Sequence, residues 1–225
     1  MEFLKNRLDL EKVNVIDEWR LILTDFEIDH GVQKCADFIN KNFVGKEIVL
    51  TCILKGAVYF FADLSRKLLI PYSCYFIEAS SYKDNQTQDD KLEILSRIIP
   101  SKFENKYVIL IDELFDNGNT MKLVKEAIHL ETKVPEEKIF TCTLFKKTKN
   151  NKKCEDFHLD LYAIDVPDVW LVGYGLDDQQ KKRGWTHLFA CPKENESDKT
   201  KDDTIFNKKE DYENMRKQII NKIFN

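Results

Sequence analysis

Residues 108–120, VILIDELFDNGNT, constrain this chain more than any other stretch. Val108, Ile109, Leu110 and Ile111 are apolar without alternation, the pattern of a strand covered on both faces. Two carboxylates, Asp112 and Glu113, close the run. After Leu114 and Phe115 the chain turns through Asp116, Asn117, Gly118 and Asn119 into a helix beginning at Thr120. Small turn-forming residues there let successive backbone N–H groups converge at a helix N-terminus, where the dipole favours an anion. Turn chemistry alone accounts for Asn117-Gly118. It leaves the two acids at the end of an apolar strand unexplained.

The rest of the chain places this segment in an α/β architecture. A helix is expected from Asp29, its candidate cap, with Val32, Cys35, Ala36 and Ile39 at helical spacing. Residues 47–54, EIVLTCIL, read as a buried strand broken by Lys55-Gly56, and Ala57, Phe60, Phe61, Leu64 and Leu68 mark an amphipathic helix stopped before Pro71. A strand is expected over 72–79, an exposed polar loop over 80–90, and strands over 107–112 and 138–145, with a helix over 120–131 between them. Short strands over 159–164, 170–174 and 187–190 follow. Strands alternating with helices imply a mainly parallel sheet, in which ligands bind beyond the carboxyl ends of the strands. That rule directs attention to Lys55-Gly56, residues 113–120, Lys146-Lys147 and the segment after Tyr174.

Composition narrows the class. A length of 225 residues suits one domain, and 43% hydrophobic residues supply an ordinary core. A formal net charge of -4 argues against a general nucleic-acid binder. No apolar run is long enough to span a bilayer, and the charged N-terminus lacks a secretory core. Cys35, Cys52, Cys74, Cys142, Cys154 and Cys191 show no C-x-x-C spacing, and the first four lie in apolar segments where a thiol packs as a small hydrophobe. A reducing, cytoplasmic setting is expected. His30, His129, His158 and His187 are dispersed, without zinc-ligand spacing.

Carboxylates beside a phosphate cradle require something hydroxylated or cationic between them. A ribose diol accepts both acids, and Mg²⁺ offsets the repulsion. The combination fits a sugar phosphate with a metal-bound polyphosphate arm. Residues 108–120 resemble the motif of the type I phosphoribosyltransferases: four apolar residues, two acidic, two apolar, Asp, small, Gly, any, Thr. The resemblance implies that Asp112 and Glu113 hold the ribose hydroxyls of phosphoribosyl pyrophosphate (PRPP), and that Asp116, Asn117, Gly118, Asn119 and Thr120 hold its 5'-phosphate. Here Asp precedes Glu where the family usually has the reverse order, and Asn117 stands where Thr is common.

Other segments are similar to the hypoxanthine-guanine enzymes of that family. LKGA at 54–57 implies pyrophosphate binding by Lys55 and Gly56, with a cis peptide at Leu54–Lys55. Ser81-Tyr82 stands where the family has a mobile loop that covers the reacting centre. FKKT at 145–148 places Lys146 where a lysine reads the purine's exocyclic oxygen. In residues 166–183, VPDVWLVGYGLDDQQKKR, the resemblance implies that Trp170 stacks on the base and the Leu171 backbone meets its edge. Asp177 binds Mg²⁺, as Asp112 and Glu113 also would, and Arg183 meets pyrophosphate. Asp116 is the implied catalytic base.

The expected fold is therefore a type I phosphoribosyltransferase fold over residues 1–192, with a small hood from the N-terminal and 150–192 segments. A charged tail, 193–225, ends in a helix bearing Tyr212, Met215, Ile219 and Ile223, whose apolar face is a candidate for self-association. The implied activity joins PRPP to 6-oxopurine bases, giving IMP or GMP, in a homodimer or homotetramer without membrane or nucleic-acid partners. Two rivals remain at this point: a regulator of the same fold that binds RNA or a nucleotide without catalysis, and a transferase preferring xanthine.

Overall fold

A computed structural model describes residues 18–83, 90–148, 157–192 and 199–224. Strand β1 (Arg20–Leu23) leads into helix α1 (Asp25–Asn42), β2 (Ile48–Leu54), α2 (Val58–Lys67), β3 (Ser73–Lys83) and β4 (Asp90–Ile94). Then come β5 (Tyr107–Phe115), α3 (Asn119–Thr132), β6 (Ile139–Lys147), β7 (Leu161–Val166), β8 (Trp170–Val172) and β9 (Leu188–Cys191). A short α4 (Thr204–Asn207) and a longer α5 (Lys209–Phe224) follow.

Six strands form a sheet in the order β4-β3-β2-β5-β6-β7, parallel except for β4 at the edge. The mainly parallel α/β class read from the sequence is the one observed. The absence of alternation in β5 has its cause here: Ile109 and Ile111 pack toward α1 and α2, whereas Val108 and Leu110 pack toward Met121, Val124 and Ile128 of α3. A second, antiparallel sheet, β1-β9-β8, joins the start of the described chain to its 170–191 segment. Among the described residues no helix is long and apolar enough to cross a membrane.

Several boundaries differ from the sequence reading. Helix α1 starts ahead of Asp29 and is capped by Thr24, whose hydroxyl accepts from the Glu27 N–H while Glu27 accepts from the Thr24 N–H at 2.7 Å. Such reciprocal capping contributes about 1 kcal/mol and outweighs the weak periodicity of this segment. Part of the expected loop at 80–90 is strand: β3 continues to Lys83 and pairs with β4, Lys83 opposite Asp90. An exposed sheet edge pairs through its backbone, so polar side chains do not forbid it. β5 likewise runs past Asp112 to Phe115, because β6 accompanies it with Phe115 opposite Lys146. Cys74, expected to pack as a hydrophobe, is exposed, as is Phe76 two residues along the same face of β3. Cys154 lies outside the described residues.

The tail is a packed part of the molecule from Thr200 onward. Asp203, Ile205, Ile219 and Ile223 are buried, and Tyr212 and Met215 pack against the same core. The Tyr212 hydroxyl donates to Leu21 O at 2.7 Å, and Arg216 donates to both oxygens of Glu27 at 3.0 and 3.2 Å. The apolar face expected to serve self-association is therefore used within the chain.

Candidate active site

Three chain segments converge beyond the carboxyl ends of β2 and β5. The Leu54–Lys55 peptide after β2 is cis. Gly56 follows so close to β5 that a Cβ there would lie 1.8 Å from Glu113 Oε1. Gly175, at φ +102°, is pressed onto the same spot, where a Cβ would lie 2.1 Å from Gly56 O. Any side chain at either glycine would collide with backbone or with an acid of the site. The Lys55 ammonium lies 3.5 Å from Glu78 and is largely exposed.

Asp112 and Glu113 are partly buried side by side, and Asp112 accepts from the Glu113 N–H at 3.0 Å. Loss of water first, and the charge of Glu113 second, hold the Asp112 carboxyl well above the usual carboxylate range. Burial, with these two acids behind it, pushes the nearby Cys52 thiol up to about 12. A pair of carboxylates in this state invites a cation or hydroxyl donors. Asp112, Glu113 and Asp177 are hard oxygen donors of the type Mg²⁺ prefers. Among the described residues no group of three ligating side chains holds a metal by itself. An ion held by these acids would need further ligands, such as phosphate oxygens and water.

The turn after β5 has the geometry of an anion cradle. Asn117 accepts from the Asn119 N–H at 3.1 Å, and Gly118, at φ +75°, stands at the N-cap of α3. The left-handed conformation suits glycine. The first N–H groups of α3 beyond Asn119 have no intrahelical acceptors, an arrangement that an anion can complete. Thr120 is partly exposed at this point.

The opposite wall comes from β6 and the 166–183 segment. Trp170 on β8 is 48% exposed, an aromatic face left open to a ligand, whereas Leu171 is buried. Lys146, the lysine named from the resemblance, has its ammonium 4.6 Å from the centre of the Tyr162 ring. Its neighbour Lys147, only 9% exposed, lies 3.6 Å from Asp116 and 3.6 Å from Asp168. Asp177 and Arg183 meet each other at 2.7 Å, and Arg183 also donates to Gly175 O at 2.8 Å. Ser81 and Tyr82 lie in β3, opposite Leu92 and Lys91 of β4.

Sequence reasoning pointed to Lys147 only as half of the Lys146-Lys147 pair, and missed Asp168, the contact of Gly56 with Glu113 and the role of Gly175. The FKKT motif held the first in view, but choosing between adjacent lysines needs the path of the strand. A separate cavity of about 500 Å³, lined by Asp25, Asp29, Tyr59, Asp63 and Tyr174 among others, contains none of the candidate site residues. Its Asp29 and Asp63 already pair with Lys67 and with Arg66 and the Tyr174 hydroxyl.

A parallel sheet that delivers two acids and a helix N-terminus beyond one central strand defines an α/β protein built to hold a sugar phosphate. The chain belongs to the phosphoribosyltransferase family: the model of the phosphoribosyl transferase domain matches residues 22–179. A hypoxanthine-guanine phosphoribosyltransferase of Aquifex aeolicus is 33% identical over 159 residues, covering 70% of this chain and 86% of that protein. A hypoxanthine phosphoribosyltransferase of Salmonella typhimurium is 30% identical over 139 residues, 62% of this chain and 75% of that one. A crystal structure of a hypoxanthine phosphoribosyltransferase from Staphylococcus aureus superposes with a TM-score of 0.66 at 26% identity, covering 77% of this chain and 91% of the other.

Proposed function

We propose that this protein is a purine-salvage enzyme that transfers the 5-phosphoribosyl group of PRPP to hypoxanthine or guanine, giving IMP or GMP and pyrophosphate. The observation that carries the reading is the pair Asp112 and Glu113 at the end of β5, followed directly by the Gly118 turn and the start of α3. Named relatives with this activity support the choice of base.

In this reaction the bond from ribose C1' to pyrophosphate breaks, and its electron pair leaves with pyrophosphate. A ring nitrogen of the purine bonds to C1', and the proton lost from the imidazole ring passes to Asp116. General-base help of this kind contributes about 10²–10⁴-fold. Asp112 and Glu113 hold the ribose hydroxyls; Asn117, Gly118, Asn119 and Thr120 hold the 5'-phosphate. Lys55, Gly56 and Arg183 face pyrophosphate, Lys146 reads the exocyclic oxygen, and Trp170 with the Leu171 backbone receives the ring. Ser81 and Tyr82 belong to the segment that covers the centre against water. Asp112, Glu113 and Asp177 would hold Mg²⁺, which would neutralise charge on pyrophosphate and make it a better leaving group.

The protein works as a homodimer or homotetramer in the cytoplasm, where its thiols stay reduced; among the described residues Cys35, Cys52, Cys74 and Cys142 carry free thiols. With α5 docked on its own core, self-association uses another surface, and exposed Val58, Tyr59 and Phe76 supply apolar area for it. The test is to supply PRPP, Mg²⁺ and each purine in turn and to follow nucleotide and pyrophosphate. Hypoxanthine and guanine are turned over and adenine is not. Failure of PRPP with Mg²⁺ to bind in calorimetry would end this reading.

A further inference from the structure

The turn between β7 and β8 carries Asp168, two residues before Trp170. Its side chain is 14% exposed and faces the Lys147 ammonium at 3.6 Å, and the same ammonium lies 3.6 Å from Asp116. Lys147 is thus suspended between the acid proposed as catalytic base and an acid of the neighbouring turn. What holds that turn comes from the tail. The Asp168 N–H donates to Asp202 at 2.8 Å, and the Thr200 hydroxyl donates to Asp168 O. Both backbone polar groups of Asp168 are therefore satisfied by two residues more than thirty positions away.

The clamp is itself rigid. Thr200 caps the helical turn Lys201–Asp203 in a reciprocal capping box with Asp203, which is buried. Ile205 just beyond is buried in the main core, and α5 anchors the segment through Arg216 to Glu27 and through Lys222 to Asp165 at 2.8 Å. On the other side, Thr148 N and its hydroxyl both donate to Val166 O, tying the end of β6 to the end of β7. Thr200 and Asp202 lie beyond residue 179, where the family match ends.

We propose that residues 199–203 are a built-in brace for the purine subsite, and that Thr200 and Asp202 are its positioning residues. By fixing Asp168 they set how the Lys147 charge is shared with Asp116 and where Trp170 presents its ring. The brace acts on the base side and reaches the turn between β5 and α3 only through Lys147 and Asp116. This inference rests on the transferase reading above.

Steady-state kinetics of the full chain test it, varying hypoxanthine and PRPP separately. Asp202→Ala and Thr200→Val each remove one hydrogen bond to Asp168, one of them to a charged acceptor. Each should raise the KM for hypoxanthine about tenfold and leave the KM for PRPP within about twofold. Asp202→Asn keeps an acceptor and Thr200→Ser keeps a hydroxyl, and both should restore the hypoxanthine KM. Lys209→Ala, which breaks the exposed Lys209–Glu213 pair of α5 and no contact of the clamp, should change neither constant. The brace is overturned by wild-type constants in both disrupting variants, by the two KM values rising together, by absence of rescue, or by an equal effect of Lys209→Ala. Should Asp202→Ala fail to fold, the Thr200 pair decides on the same criteria. A wild-type chain inactive on every purine would sink the transferase reading and the brace with it, whereas an active wild type with unaffected variants sinks the brace alone.

Discussion

The two walls of the site are built in opposite ways. The phosphate wall is nearly contiguous: residues 112–120 carry both acids, the turn and the helix start. The proposed purine wall draws on β6, the β7–β8 turn, β8 and the 199–203 segment, spread over more than fifty residues. The first owes its shape to local backbone geometry and two strand neighbours. The second owes its shape to hydrogen bonds and ion pairs between segments that meet only in the folded chain. Damage to the first should therefore be severe and local, and damage to the second graded and selective.

The largest effect is expected at the seam between the walls. Asp116→Asn keeps the size of the side chain and removes its basicity, so kcat with hypoxanthine should fall about 10²–10⁴-fold while circular dichroism stays unchanged. Near wild-type turnover would remove Asp116 from the proton transfer. Next comes Gly175→Ala on the phosphate side. The added Cβ meets Gly56 O at 2.1 Å in a backbone conformation that L-residues rarely adopt. A loss of about 2 kcal/mol or more in urea unfolding, with weaker PRPP binding, should follow. Unfolding and PRPP affinity both at wild-type values would show that the close approach is not required.

The two lysines of β6 sharpen the comparison. Lys146→Ala should chiefly erode selection of hypoxanthine over adenine, and unchanged discrimination would contradict its assignment to the exocyclic oxygen. Lys147→Ala removes the charge beside Asp116 and Asp168, and should lower kcat/KM for hypoxanthine roughly tenfold with PRPP affinity preserved. Equal losses for both substrates would place Lys147 in general stability and not at the purine wall.

The smallest effect concerns stability. The folded protein holds the Asp112 carboxyl above its ordinary value of 3.8, so ionisation works against folding. Its favourable contribution is complete below that ordinary value and is lost as pH rises through the raised folded value. At neutral pH, Asp112→Asn should therefore melt higher, by about 2–4 °C for each 1 kcal/mol relieved, and the gain should vanish on acidification below pH of about 4. The same variant should bind PRPP poorly. A melting point at or below wild type at neutral pH would contradict the raised carboxyl.

Legibility followed the same division. Residues 108–120 announced themselves because a covered strand, two acids and a glycine turn leave a contiguous signature. The start of α1 at Thr24 hid in a mixed segment, although Thr24 and Glu27 at capping spacing were there to be seen. The pairing of β3 with β4 left no trace in side-chain polarity, since the edge is joined through backbone groups. Cys74 read as a core residue because its strand is apolar on both faces, yet one of those faces is exposed.

The amino-acid sequence by itself determined the parallel α/β class, the acid pair and the glycine turn at a helix start, because each depends on neighbours within a few residues. Tertiary structure alone decided that Lys147 sits at Asp116, that Gly56 closes against Glu113 and Gly175 against Gly56, and that the tail grips Asp168. Those contacts are made between groups with no sequence proximity, and their energies exist only once the sheet has brought the strand ends together.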